Sequence, residues 1–234
     1  LGLDDTLKFY RNTESYQALL YGAVGLVYRG EAYRLYPALR DQRRAAALLN
    51  DLGLSERDRI VGLNTGAGRV FANKNWSEQQ YIQLAQRLAA RPGVRVALLG
   101  GPEEKARNAR IAEACPTVVN TGCDHDELLF TAIVERCSVI VTGDTLGMHV
   151  AIASGVPCVA LFGPTCAQEI DLFGRGEKIV TSMSCAPCYR RTCDKSPNCM
   201  DSIDVDRVAR ATERWLGANV PRHTVTLPLA EACV

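Results

Sequence analysis

Apolar and β-branched residues gather in short runs along this chain, each closed by glycine or a small polar residue and followed by a segment of helical spacing. The clearest case lies between Val139 and Thr165. Val139-Ile-Val-Thr142 ends in Gly143-Asp144-Thr145, a helix-compatible segment opens near Gly147, and Gly155 interrupts it. A second apolar run, Val156 to Phe162, then closes in Gly163-Pro164-Thr165. Strand, tight loop, helix and strand in that order predict a βαβ unit whose polar residues sit at the strand-to-helix turn.

The same rhythm extends back to Arg59. Ile60–Leu63, Val94–Leu99, Thr117–Val119 and Lys178–Thr181 read as further strands. Ser77 caps a helix to about Ala90, Glu103 starts one to about Ala114, Asp126 caps one through Arg136, and Val205–Leu216 closes the series. Strands alternating with helices predict an α/β fold with a doubly wound parallel sheet. Before Arg59 the pattern differs. Glu14–Leu26 reads as a helix carrying Tyr16, Leu19, Leu20, Ala23 and Val24 on one side. Tyr28–Leu35 reads as a short strand pair or extended arm, and Asp41 as the acidic N-cap of a second helix that Gly53 stops. The expected division is a lead-in segment 1–58, a ligand-binding domain 59–217 with a Cys-rich loop at 184–200, and a tail 218–234. The apolar faces of the lead-in should pack on the domain after it or on something beyond this chain.

Parallel strands point one way, so every strand-to-helix loop falls on one edge of the sheet, where open α/β sheets bind ligands. These loops carry Thr65 and Gly66, Lys74, Glu104, His125, and the run Asp144, Thr145, Leu146, Gly147 with His149. Glycines there permit close approach of the backbone, and helix N-termini offer unpaired N–H groups with partial positive charge. Together with the Lys74 cation this suits a pyrophosphate. Taken singly, Lys74 is a solvated charge and His149 a structural histidine; their weight comes from sharing one edge. Thr65-Gly-Ala-Gly68 lacks the Gly-Lys-Ser/Thr ending of a P-loop, and no G-x-G-x-x-G follows a strand, which argues against NTP hydrolysis and hydride transfer.

Composition narrows the partners. With 27 Lys and Arg against 26 Asp and Glu, the net charge of +1 supplies no global attraction for nucleic acid or an anionic membrane. No apolar run approaches the roughly 20 residues needed to span a bilayer, and Leu1-Gly-Leu-Asp-Asp5 turns polar at once, unlike a secretory leader. Of the 10 cysteines, Cys185-x2-Cys188-x4-Cys193-x5-Cys199 form a dense cluster. Four thiolates can hold zinc tetrahedrally, although these gaps are tighter than those of a zinc ribbon. Reduced structural thiols and disulfides are the two alternatives. A core of this size needs no staples, so a reduced, cytoplasmic setting is expected.

Gly143-Asp-Thr-Leu-Gly-Met-His149 with its Ala-rich helix, Gly155-Val-Pro157 and Phe162-Gly-Pro-Thr165 strongly resembles the nucleotide-sugar half of bacterial heptosyltransferases, glycosyltransferase family 9. Asn64-Thr-Gly-Ala-Gly68, Lys74-x-Trp76-Ser77, Gly100-Gly-Pro-Glu-Glu104 and the cluster ending Cys199-Met200 match in the same order, so the resemblance covers roughly Leu1 to Gly217. Many members carry Asp-Thr/Ser-Gly-x-Met/Ser-His, whereas here Leu146 precedes Gly147.

The resemblance implies the C-terminal, Rossmann-like half of a GT-B enzyme that transfers a sugar with inversion, from ADP-heptose in the type members to the lipopolysaccharide core. It implies that Asp144, Thr145, Leu146, Gly147 and His149 contact the donor, that the Thr65 loop with Gly66 and Lys74 holds its diphosphate, that Glu104 and His125 are also donor-binding, and that the segment near His125 lies against the base. The general base belongs to an acceptor-binding domain that precedes this one in full-length relatives, so this chain alone should bind nucleotide and transfer little. No cofactor is required for transfer; protein groups rather than a divalent ion are expected to stabilise the leaving diphosphate, with zinc at Cys185, Cys188, Cys193 and Cys199 as a structural option. The expected partners are an ADP-sugar and, through the other domain, a lipopolysaccharide-core acceptor, with at most peripheral contact at the inner face of the bacterial inner membrane. A transferase domain for another nucleotide sugar, such as a UDP-sugar, and a zinc-knuckle-like interaction module on a degenerate domain are the competing readings.

Overall fold

A computed structural model describes residues 4–67 and 72–218. Its centre is a six-stranded sheet of β1 (Arg59–Asn64), β2 (Val94–Leu99), β3 (Val119–Asn120), β4 (Val139–Gly143), β5 (Cys158–Phe162) and β6 (Gly176–Val180), all parallel, in the order β3-β2-β1-β4-β5-β6. The helices are α1 (Tyr16–Ala23), α2 (Leu39–Asp51), α3 (Glu78–Ala89), α4 (Lys105–Ala114), α5 (Glu127–Arg136), α6 (Leu146–Ala153) and α7 (Val205–Gly217). The doubly wound α/β expectation holds.

Strand periodicity explains the layering. Val61, Leu63, Val96, Leu98, Val139, Val141, Val159 and Leu161 face one core with residues of α3, α4 and α7. The intervening Ile60, Ala97, Leu99, Ile140, Ala160 and Phe162 face the other, with α2, α5 and α6. Side chains alternate across a strand, so a sheet buried on both faces needs apolar residues at nearly every position. Local chemistry sets the helix starts. Ser77 and Gln80 form a reciprocal capping box at α3, and the Asp126 carboxylate accepts from Leu129 N at 2.8 Å at α5.

One local expectation changes, and the lead-in settles between its stated alternatives. Asp41 is not a cap: α2 begins at Leu39 behind Ala38, and Asp41 lies buried in its first turn, 3.1 Å from Arg44 Nη1. A carboxylate anywhere in the first turn meets the positive helix end, so acidity marks the turn rather than the cap. Residues 26–38 form no strand pair, which leaves the extended arm of the two expected forms. Their backbone instead ties to α6 through Leu35 N and Ala153 O, 3.3 Å apart. The helical spacing on α1 is present, yet Tyr16, Leu20 and Val24 are exposed and the helix buries no residue. By contrast α2 places Ala45 and Leu49 in the core. Gly68 and the tail from 219 onward, with Cys233, lie outside the described residues.

Candidate functional site

β1 and β4 are neighbours whose following helices, α3 and α6, pack on opposite faces of the sheet. A crevice opens at such a switch point, beyond the carboxyl ends of the two strands. Asn64 ends β1 there. Its amide donates to Thr142 Oγ1 (2.9 Å) and Thr145 Oγ1 (3.1 Å), and its carbonyl accepts from the Tyr81 hydroxyl (3.0 Å). The loops after β1 and β4 are thereby joined. Gly147 is required by this contact, because a Cβ on it would lie 2.6 Å from Asn64 Nδ2.

A second bond spans the same two loops. Lys74 closes a 3-10 turn, Ala72–Lys74, and its Nζ stands 2.9 Å from Asp144 Oδ2 and 3.3 Å from the Asp144 carbonyl. Their side chains retain 16% and 17% exposure, so the pair is largely withdrawn from water yet reachable from the crevice. Thr145 then serves as N-cap of α6, with Leu146 projecting from the first turn at 68% exposure.

His149 follows on α6. The residue is exposed, and the Tyr33 hydroxyl oxygen is 2.9 Å from its Nδ1. Desolvation holds the imidazole pKa below its ordinary value; Asp144 opposes this and Lys74 reinforces it.

The remaining candidates follow β1 itself (Thr65, Gly66), β2 (Glu104) and β3 (His125). Thr65 is fully buried, and its hydroxyl donates to Asn108 Oδ1 (2.5 Å) while its carbonyl accepts from Arg107 Nη1 (2.8 Å). Its side chain therefore points into the fold rather than toward the edge. Gly66 lies against the Glu104 carboxylate, which accepts from Gly101 N at 3.0 Å. His125 Nε2 bonds to the Thr121 carbonyl at 2.8 Å, within its own loop. Asn64 and Tyr33 are the residues that sequence reasoning did not single out. An asparagine closing an apolar strand is a visible signal for the first; nothing local marks the second.

The sheet order, the joined loops and the paired charges describe a polar crevice at the switch point of the sheet. The sequence matches the profile of glycosyltransferase family 9 (heptosyltransferase) over residues 8–198. This chain belongs to glycosyltransferase family 9. Lipooligosaccharide heptosyltransferase 2 of Campylobacter jejuni is 25% identical over 173 residues, which are 68% of this chain and 52% of that protein. The chain spans about half the length of the relatives it matches. A glycosyl transferase of family 9 from Veillonella parvula superposes with a TM-score of 0.74 at 20% identity, over 89% of this chain and 62% of that one. The E. coli heptosyltransferase WaaC with ADP-2-deoxy-2-fluoro heptose superposes with a TM-score of 0.54 at 18% identity, over 85% and 54%. At these identities the likeness is one of fold, and it makes the sheet a Rossmann-like half of the GT-B architecture.

The family 9 chain treats its clustered cysteines unequally. Cys185 and Cys193 are exposed, Cys188 is half-buried, and Cys199 is buried in the core beside Met200. Among the described residues no three His, Cys, Asp or Glu side chains are grouped to hold a metal ion. The four differ in exposure, yet Cys185, Cys188 and Cys193 all lie near enough to Cys199 to act on its thiol. Burial pushes the Cys199 thiol up to about 11, with the other three cysteines adding to the shift. Their segment instead braces the loop after β5: the backbone N–H groups of Cys188 and Tyr189 donate to the Pro164 carbonyl at 3.0 and 2.9 Å.

Two Asp-x-Asp triplets also occur in the sequence, Asp124-His-Asp126 and Asp204-Val-Asp206. Asp126 and Asp204 cap α5 and α7, while Asp124 pairs with Lys105 and Asp206 with Arg87. Among the described residues no helix is long and apolar enough to cross a membrane.

Proposed function

We propose that this chain is the C-terminal, donor-binding half of an inverting glycosyltransferase that takes a heptose from ADP-heptose for addition to the lipopolysaccharide core. The observation that carries the reading is the Lys74–Asp144 pair at the switch point of a family 9 sheet. The E. coli relative WaaC is found with ADP-2-deoxy-2-fluoro heptose, which supports an adenosine diphosphate sugar as the donor class.

The chemistry asked of this half is stabilisation of the leaving group. When the glycosidic bond to the diphosphate breaks, negative charge grows on the phosphate oxygens. Groups held in place for that charge lower the barrier more than they strengthen ground-state binding. Lys74 supplies the cation by turning from Asp144 to the diphosphate, and the first turn of α6 supplies N–H groups and the positive end of its dipole. Asp144, released from Lys74, is then an acceptor for a sugar hydroxyl. Glu104, a carboxylate beside Gly66, suits a ribose diol better than a phosphate because like charges repel. The acceptor and its general base belong to the other half of such an enzyme, at the cytoplasmic face of the inner membrane in this reading.

Titration calorimetry with ADP, ADP-heptose and UDP-sugars tests the proposal. ADP-heptose should bind tightest, ADP should retain measurable affinity, and UDP-sugars should bind more weakly. Preference for a UDP-sugar would assign a different donor, and no binding of any nucleotide would overturn the proposal.

A further inference from the structure

Tyr33 belongs to the extended stretch before α2, in sequence far from every loop of the crevice, yet its hydroxyl reaches His149 Nδ1 at 2.9 Å. The contact is built rather than incidental. Leu35, two residues on, is held to α6 by its N–H bond to the Ala153 carbonyl. The Tyr33 ring also stands edge-on to Phe173, with centroids 6.1 Å apart and planes at 82°. Phe173 occupies the left-handed region at φ 51°, a conformation that costs energy for an aromatic residue and persists where surrounding structure requires it.

An imidazole can present either a proton or a lone pair at its second nitrogen, and the bond made by the first nitrogen decides which. Burial raises the Tyr33 pKa well above its ordinary value, so the phenol keeps its proton. A protonated phenol is a better donor than acceptor toward a basic imidazole nitrogen, and donation from Tyr33 makes Nδ1 the acceptor and leaves the ring hydrogen on Nε2. A lone pair there would repel phosphate oxygens, whereas an N–H bonds them.

We infer that Tyr33 is a positioning residue of the nucleotide site: its hydroxyl fixes His149 as the Nε2–H tautomer and presents that N–H on the ring edge away from Tyr33, toward the diphosphate. The inference rests on the donor-site reading above. Lys74 and Asp144 are the charged groups acting on the ring from the crevice side. When the ring takes a second proton, the Tyr33 oxygen accepts from Nδ1–H, so the contact and the outward N–H survive both charge states.

The test uses the 15N-labelled chain, with His149→Gln to assign the ring signals. In long-range proton–nitrogen spectra of the free protein, above the histidine's titration, Nε2 should be protonated and Nδ1 should carry the shift of a hydrogen-bonded acceptor. Tyr33→Phe keeps the ring against Phe173 and should move Nδ1 to the position of an unbonded lone pair. It should also weaken ADP binding by roughly 3- to 10-fold, the range for one net hydrogen bond. The same substitution in the His149→Gln background should change nothing further, because Tyr33 acts only through His149. Unchanged nitrogen shifts in Tyr33→Phe, or an equal loss of ADP affinity in both backgrounds, would overturn the inference. Failure of the unaltered chain to bind ADP would instead sink the donor-site reading; the nitrogen shifts, recorded without nucleotide, judge the Tyr33 contact independently.

Discussion

Lys74 and Asp144 meet at 2.9 Å across the two loops that flank the switch point, each with about one-sixth of its side chain exposed. The pair means that the cation expected for a diphosphate already has a partner, and that binding exchanges one anion for another. The carboxylate also offsets the desolvation of a part-buried ammonium.

Substitution at the two positions should therefore act in opposite directions. Lys74→Ala should weaken ADP by about 1.5–3 kcal/mol, the range for a hydrogen bond to a charged group, with the stranded Asp144 adding repulsion. Asp144→Asn should strengthen ADP while weakening discrimination for the sugar. Calorimetry on both single variants and the double variant yields the coupling energy. Additive effects would show that the two side chains do not share the site.

Asn64 and Gly147 form the other crossing. Gly147→Ala pushes a methyl group into the Asn64 amide and should destabilise the fold by about 1–3 kcal/mol, as overpacking does. Asn64→Ala leaves Thr142 and Thr145 without their donor and should cost a similar amount, about 1–3 kcal/mol. In the double variant the alanine at 147 no longer meets the amide, so the losses should be less than additive. Urea unfolding of the set measures this.

The depressed pKa of His149 has two pH consequences of defined sign. In the free protein the unfolded state binds the proton more readily, so stability falls as pH drops below 6.5 and through the folded pKa. A bound diphosphate favours the imidazolium, so nucleotide binding should take up a proton and affinity should rise as pH falls through the same window. Asp144, facing the ring, acts in the same direction as the diphosphate, and Lys74 opposes it. Calorimetry in buffers of different ionisation enthalpy counts the proton. Proton release, or none at any pH between about 5 and 8, would leave His149 outside the nucleotide site.

The clustered cysteines should respond unequally. Cys199→Ser places an unsatisfied hydroxyl in the core and should cost about 1–3 kcal/mol, whereas Cys185→Ser and Cys193→Ser at the surface should stay within about 0.5 kcal/mol. Equal large losses at Cys185, Cys188, Cys193 and Cys199 would show that they act as one ligand set. Thermal unfolding with and without a chelator completes the comparison.

What the sequence determined by itself is everything governed by near neighbours. The short apolar runs Val94–Leu99 and Val139–Val141 specify strands because a strand buried on both faces is apolar at nearly every position. Ser77 and Asp126 specify helix starts because an N-cap acts within one turn. The polar edge around Asp144 and His149 follows from the common direction of parallel strands, and the family from motifs that preserve that edge. Tertiary structure alone decided the partners. Lys74 finds Asp144 70 residues away and Tyr33 finds His149 116 residues away, pairings that depend on strand order and on the path of the arm over α6. Thr65 turns inward to Asn108, and Asp41 sinks beneath Arg44, because packing settles which side of a loop or turn is buried. Cys199 enters the core while Cys185 and Cys193 stay outside for the same reason: spacing along a chain limits which groups can meet, and only the folded surface against which they pack selects among them.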